Sequence, residues 1–302
     1  MTDTAIAKTF APLTEEERSR SAANDNAGRE ELLTTVPPDA PQPDFNLRGF
    51  KVALVSDYQN LDGSLSNYVV RYHKIDANGT EVLDEKGKPR KTFRPWSVLR
   101  QADGTLTWTQ KGVNAPRQVH NVLAVKNATH VAVVEGEQCV ERMRVFTSEW
   151  VPTTWQGGAN SVGRTDWSTL RGKTVIGFAD LDDAGQSAMQ TVSEHCLAAG
   201  VARFGRVRIE RIAQFTVKDG KLVPREGQVA KGFDVGDLAA EGMTWNMLVE
   251  HLGEENLVEW DQPPEDAGIP EDYDLEDGRL SRFVPTPNCR ATSSVRSARH
   301  RR

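Results

Sequence analysis

The sequence predicts an α/β protein built on a mainly parallel sheet with flanking helices, preceded by a small antiparallel β region. Two short apolar runs, at residues 131–134 and 174–179, each end in acid and glycine: Glu135-Gly136 in the first case, Asp180-Leu181-Asp182-Asp183-Ala184-Gly185 in the second. Each run is followed by apolar residues at helical spacing, the signature of β-α-β units. Between Lys51 and His120 the apolar positions alternate instead, and the breaks are turn chemistry such as Ala77-Asn78-Gly79 and Asp103-Gly104.

Taken in order, residues 1–45 run through Ser, Ala, Asn, Asp and Glu into a proline-rich stretch at 36–43, which predicts a disordered arm and linker. Residues 46–122 form the β-rich domain, with strands at 68–72, 91–94 and 105–108. A second domain over 123–250 alternates strands and helices. Cys139, Val140, Met143 and Phe146 make one face of its first long helix, and a strand at 151–155 leads into the flexible turn Gln156-Gly157-Gly158-Ala159-Asn160. The strand at 174–179 precedes a helix with Ala188, Met189, Val192 and Cys196 inward, ending near Gly200. A strand at 207–212, a hairpin or loop tip at Lys218-Asp219-Gly220-Lys221, and a short helix opened by residues 231–237 complete the set. Residues 251–302, acidic and then basic, read as a disordered tail.

Composition bounds the function. The chain has 302 residues, of which 38% are hydrophobic and 26% charged, ordinary for one or two soluble domains. No apolar run approaches the roughly 18 residues of a spanning helix, and the amino terminus lacks a secretory core, so no membrane association and a cytoplasmic location are predicted. Cys139, Cys196 and Cys289 stand without C-x-x-C or Cys/His pairing, which excludes a zinc ribbon and a disulfide framework. The net charge of −6 argues against binding nucleic acid through bulk charge but leaves room for a local basic groove.

Glu135, Asp180 and Asp182 sit where strand gives way to turn. If the two strands are neighbours, their carboxylates meet at the sheet's carboxyl edge, where open α/β sheets place ligands. Like charges at contact distance need protons or a hard divalent cation to coexist. Gly136 and Gly185 suit such turns. The structural alternative is an acidic helix start capped by Asp182 or Asp183; the two acidic strand ends, with a third acidic turn at Asp234 and Asp237, favour the cation site.

In order and spacing, Val133-Val134-Glu135-Gly136-Glu137 and Asp180-Leu181-Asp182-Asp183-Ala184-Gly185 resemble the Toprim domain shared by bacterial-type primases, type IA and II topoisomerases, recombination-mediator proteins and certain nucleases. Residues 133–138, 154–159, 166–173, 180–185 and 231–242 together look like the motif series of phage- and plasmid-type DNA primases, over roughly residues 120–245. Gln138 stands where that family usually has lysine, and nothing resembling the family's zinc ribbon or helicase is found. The resemblance implies a Toprim-like fold, Mg²⁺ (or Mn²⁺) held by Asp180 and Asp182, Glu135 as ligand or general base, and Asp234 as outer ligand. It also implies Lys231 and Arg164 against phosphate, Gly157 and Gly158 as turn glycines, and ribonucleotide joining on single-stranded DNA. Single-stranded DNA, nucleotides and a separate replicative helicase are the partners that follow. A metal-dependent nuclease and a non-catalytic replication module are the alternatives.

Other residues carry weaker signals. The six histidines form no metal-binding pair, and no nucleophile motif is present. Trp96, Trp108, Trp155 and Trp167 read as packing residues more readily than base-stacking ones. Lys86, Lys88, Arg90, Lys91 and Arg94 are the densest positive charge available to a phosphate backbone, with a solvated hairpin face as the alternative reading.

Overall fold

The computed structural model describes residues 30–85, 87–261, 273–276 and 279–282. Met1–Gln262 belong to one compact unit, and Pro263–Arg302 to another, in which Tyr273–Glu276 pairs antiparallel with Arg279–Arg282.

The first half of the large unit is an antiparallel sheet of β1 (Glu31–Leu32), β2 (Phe50–Gln59), β3 (Leu65–Lys74), β4 (Lys91–Arg100) and β5 (Leu106–Thr109). Its path is β1-β4-β3-β2, with β5 also on β4. Val70, Tyr72 and Trp96 form a small core on one face, joined by Phe45, and the Trp96 indole donates to the Tyr72 hydroxyl at 3.0 Å while that hydroxyl donates to Phe45 O at 2.9 Å. Part of the expected arm is therefore structured. Leu33 is buried, its amide donates to Val98 O at 2.9 Å, and Phe45 stacks edge-on against Tyr68 and Trp96. The prolines between them did not prevent this, because an extended segment lying against a sheet needs few amide donors. Residues 1–29 lie outside the described residues.

The second half runs through β6 (Arg117–Gln118), α1 (Val122–Asn127), β7 (His130–Val134), α2 (Glu137–Phe146), β8 (Val151–Thr153), a 3₁₀ turn (Ala159–Arg164), β9 (Thr165–Asp166), a second 3₁₀ turn (Ser168–Leu170), β10 (Thr174–Phe178) and α3 (Asp183–Ala198). It continues through β11 (Arg203–Val207), α4 (Ile209–Ile212), the hairpin β12 (Phe215–Lys218) and β13 (Lys221–Pro224), then α5 (Val235–Ala240), α6 (Trp245–Leu252), α7 (Glu254–Leu257) and β14 (Val258–Asp261). The larger sheet has the order β14-β11-β10-β7-β8. β7 and β10 are buried on both faces, which explains their unbroken apolar runs. Val131, Val133 and Val175 meet α1 and α3 on one side, while Ala132, Val134, Ile176 and Phe178 meet α2, α5 and α6 on the other.

Three further expectations are corrected. The sheet is mixed, because β14 joins β11 antiparallel while the other pairings are parallel, and the architecture as a whole is mixed α/β with several sheets. The strand expected over 207–212 ends at Val207; Ile209 and Ile212, three apart, both enter the core from α4. Residues 251–261 of the expected tail form the end of α6, α7 and β14, with Leu257 and Val258 buried. Among the described residues no helix is long and apolar enough to cross a membrane.

Candidate functional site

The site begins with register. β7 and β10 pair in parallel with Val134 beside Phe178, so Glu135 leaves its strand level with Ala179 and Asp180 follows one residue later. Gly136, at φ 86°, turns the chain from Glu135 into α2 in a backbone region that side chains disfavour, and its amide donates to Thr154 Oγ1 at 2.9 Å. After Asp180, Asp182 caps α3, its Oδ1 accepting from the Gly185 amide at 2.9 Å. Gly185 has to be glycine there, since a Cβ would lie 2.8 Å from Asp180 O. Asp234 caps α5 in the same manner, accepting from the amides of Gly236 (2.6 Å) and Asp237 (3.0 Å). Two backbone hydrogen bonds, Leu181 N to Phe233 O (2.8 Å) and Gly232 N to Leu181 O (3.2 Å), tie the two acidic loops together.

Glu135, Asp180 and Asp234 line one cavity of about 670 Å³. Asp182 is not among its lining residues; its side chain serves the helix start, as the structural alternative held, though its charge reaches the others. Burial, then Glu135, Asp234 and Asp182, push the Asp180 carboxyl up to about 7, against the pull of Lys91. Burial, Asp182 and Asp234 likewise raise Glu135, with Lys91 opposing. The Cys139 thiol, also on the cavity, is raised well above its ordinary value by burial, Asp234 and Asp180, so it is inert at neutral pH.

The opposite wall comes from Arg71 on β3 and Lys91 and Phe93 on β4 of the antiparallel sheet, and from Arg117 on β6, which pairs with β9 outside that sheet. Arg71 Nη1 donates to Gln138 Oε1, and its guanidinium lies 5.7 Å over the Phe93 ring. Gln138 is thus met by a cation from the antiparallel sheet. Arg71, Arg117, Phe93 and the buried Glu137 were not singled out by sequence reasoning; the contact from Arg71 to Gln138 spans 67 positions and leaves no local mark.

The expected basic cluster is divided. Lys91 lines the cavity, whereas Arg94 lies on the far side of β4, donating to Thr92 Oγ1 and Phe93 O at 2.9 Å each. Arg90 is exposed outside the cavity lining, Lys88 pairs with Asp237 at 3.6 Å, and Lys86 lies outside the described residues. Arg164 is exposed on the first 3₁₀ turn, where its charge opposes that of Arg117; Lys231 is exposed in the loop ahead of Asp234. Gly157 and Gly158 line the cavity beside Trp155, whose indole donates to Gly158 O at 2.9 Å. Trp96, Trp155 and Trp167 are buried packing residues, as their strand and turn positions suggested.

A seam of hydrogen bonds joins the sheets beneath the cavity. The Tyr58 hydroxyl donates to Glu137 Oε1 at 2.8 Å, and Asn67 and Gln156 exchange amide hydrogen bonds at 3.1 and 3.3 Å. Burial raises both the Tyr58 and the Glu137 pKa.

Among the described residues, no three His, Cys, Asp or Glu side chains are posed to hold a metal ion by themselves. The donors present, hard carboxylate oxygens with raised pKa values, fit Mg²⁺ or Mn²⁺, because Mg²⁺ usually takes one or two carboxylates and completes its shell with water and substrate phosphate.

No family model matches the chain, and neither does any curated protein. Solved structures with similar chains include the zinc-binding and RNA polymerase domains of the Aquifex aeolicus primase (16% identity, TM-score 0.35, covering 84% of this chain and 47% of that one). A DNA primase domain from Pseudomonas aeruginosa gives 11% identity and TM-score 0.40, covering 80% and 60%, and the E. coli primase catalytic core gives 13% and 0.37, covering 84% and 64%. The chain thus spans about half to two-thirds of the length of these proteins. With such low TM-scores, the functional reading rests on the site's own residues.

Proposed function

We propose that the protein is a Toprim-type, primase-like protein of DNA replication that joins ribonucleotides on single-stranded DNA in the cavity between its two sheets. One observation carries this: three carboxylates at strand and helix ends share one cavity, large enough for a nucleotide, with three cations, two on the antiparallel sheet and one on β6. Asp180 and Glu135 would hold Mg²⁺ or Mn²⁺, with Asp234 behind them and Asp182 contributing charge. The metal supplies charge stabilisation at phosphoryl oxygens. Arg71, Lys91 and Arg117 neutralise phosphate, Phe93 offers a ring face to a base, and Glu135 takes the proton of the attacking 3′-hydroxyl as pyrophosphate leaves. Arg164 and Lys231 extend the positive rim toward the template, and a separate replicative helicase is the partner this reading requires.

Primer synthesis on single-stranded templates with Mg²⁺ or Mn²⁺ tests it. Labelled ribonucleotides should be joined by the wild type and not by Asp180→Asn. Lys91→Ala should weaken single-stranded DNA binding while Arg94→Ala leaves it unchanged, since only Lys91 faces the cavity. Cleavage of DNA without joining would identify a nuclease, and neither activity would identify a non-catalytic module.

A further inference from the structure

Arg71 is held at the cavity from both sides of its guanidinium. On one side Nη1 donates to Gln138 Oε1; on the other Nε donates to His73 Nε2 at 3.2 Å. The second contact fixes the state of the imidazole. A guanidinium has only donors, so Nε2 must be the unprotonated nitrogen, and the ring proton sits on Nδ1, which faces Glu81 Oε1 at 3.0 Å. Glu81, His73 and Arg71 thereby form a directed chain from carboxylate to imidazole to guanidinium that ends inside the cavity. It uses two of the five N–H groups of Arg71, and the remaining three make no hydrogen bond to a described residue.

Strand pairing explains why the chain is straight. Arg71 and His73 are two apart on β3 and share a face; Phe93 pairs with Arg71, and Lys91 and Lys51 flank His73 in the register. The charged groups facing the ring are therefore Arg71 on its own strand, Lys51 on β2, Lys91 on β4, and Glu81, which also lies 3.9 Å from the Lys51 amine. One anion opposes three cations. A proton on Nε2 would place a donor against a donor and add a fourth positive charge, removing the hydrogen bond that holds Arg71 Nε.

We infer that His73 is a positioning residue: its neutral Nδ1–H tautomer, oriented by Glu81, holds Arg71 in the cavity to receive the phosphate of an anionic ligand. This rests on the reading of the cavity as a phosphate site. Loss of the Nε2 acceptor removes the hydrogen bond that holds Arg71 Nε, and ligand affinity falls with it.

The test is calorimetric binding of inorganic tripolyphosphate, in buffer containing Mg²⁺, to the full chain and to four variants, from about pH 8 to about pH 5.5. Arg71→Ala should lower affinity at every pH. His73→Ala should lower it roughly tenfold at the alkaline end, the loss expected for one hydrogen bond to a charged group. His73→Gln, whose amide oxygen can accept from Nε but cannot titrate, should restore most of that affinity, and the ratio of wild type to this variant should fall toward acid. Glu81→Gln should reduce affinity less than His73→Ala. Near-ultraviolet circular dichroism confirms that each variant is folded. If Arg71→Ala lowers affinity but both His73 variants match wild type at all pH values, His73 is a packing residue and the inference fails alone. If Arg71→Ala has no effect, the phosphate reading falls and takes the inference with it.

Discussion

At the scale of the residue, Asp180 shows how the site's chemistry is stored in its carboxylates. Burial and its acidic neighbours hold its carboxyl up at about 7, against about 3.9 for a free aspartate. The stability linked to its bound proton is fully present below the unfolded value and is lost as pH rises through about 7, because folding then buries a charge and confines it among other carboxylates. Asp180→Asn removes that penalty. Thermal unfolding without divalent cations should show the variant more stable than wild type at pH 8, by up to about 4 kcal/mol, with the difference shrinking to nothing near pH 4. A constant difference across that range would mean that carboxylate crowding is not its source.

At the scale of the element, the acidic turns depend on close backbone approach. Gly185 sits in the first turn of α3 with the Asp180 backbone where its Cβ would be, so Gly185→Ala should push the helix start off the strand end and cost about 2–3 kcal/mol, measured by denaturant unfolding. A loss below about 0.5 kcal/mol would mean that the turn relaxes freely. Much at this scale was legible in the residues. The inward faces of α2 and α3 followed from helical spacing, and Glu135 and Asp180 were placed at neighbouring strand ends by the apolar runs before them. What escaped was decided at a distance. Ile209 and Ile212 fit strand alternation after Val207 poorly but fit a single helical turn, and only the core shows which pattern applies. Trp260 and Val258 stand in an acidic stretch that looks unstructured until β11, more than fifty positions earlier, offers its free edge. For the site, Asp182 was ambiguous between ligand and cap because the same residue type serves both; Lys91 stood out in its basic cluster, whereas Arg71 and Arg117 escaped because they reach the cavity from strands distant in sequence.

At the scale of the whole molecule, the cavity exists only while the antiparallel and mixed sheets are docked. Tyr58 and Glu137 are both buried at that seam, and Tyr58→Phe leaves the carboxyl without its donor, a loss of about 1–3 kcal/mol. Glu137→Gln keeps an acceptor for the hydroxyl and should lose less. Chemical unfolding of the two variants checks this order; Tyr58→Phe as stable as wild type would remove the hydrogen bond from the account of docking. The ion pair of Lys88 with Asp237 also spans the sheets, but both side chains are substantially exposed and it adds at most about 1 kcal/mol.

The seam and the cavity are also made of different kinds of interaction. The amide exchange of Asn67 with Gln156 is uncharged and buried, so dissolved electrolyte scarcely reaches it. Lys91 and the outer Arg164 are exposed charges within reach of counterions. Ionic strength therefore becomes a selective handle: added electrolyte should strip a polyanion from the chain over a range in which the two sheets stay docked, so that loss of ligand and loss of fold can be separated without changing a single residue.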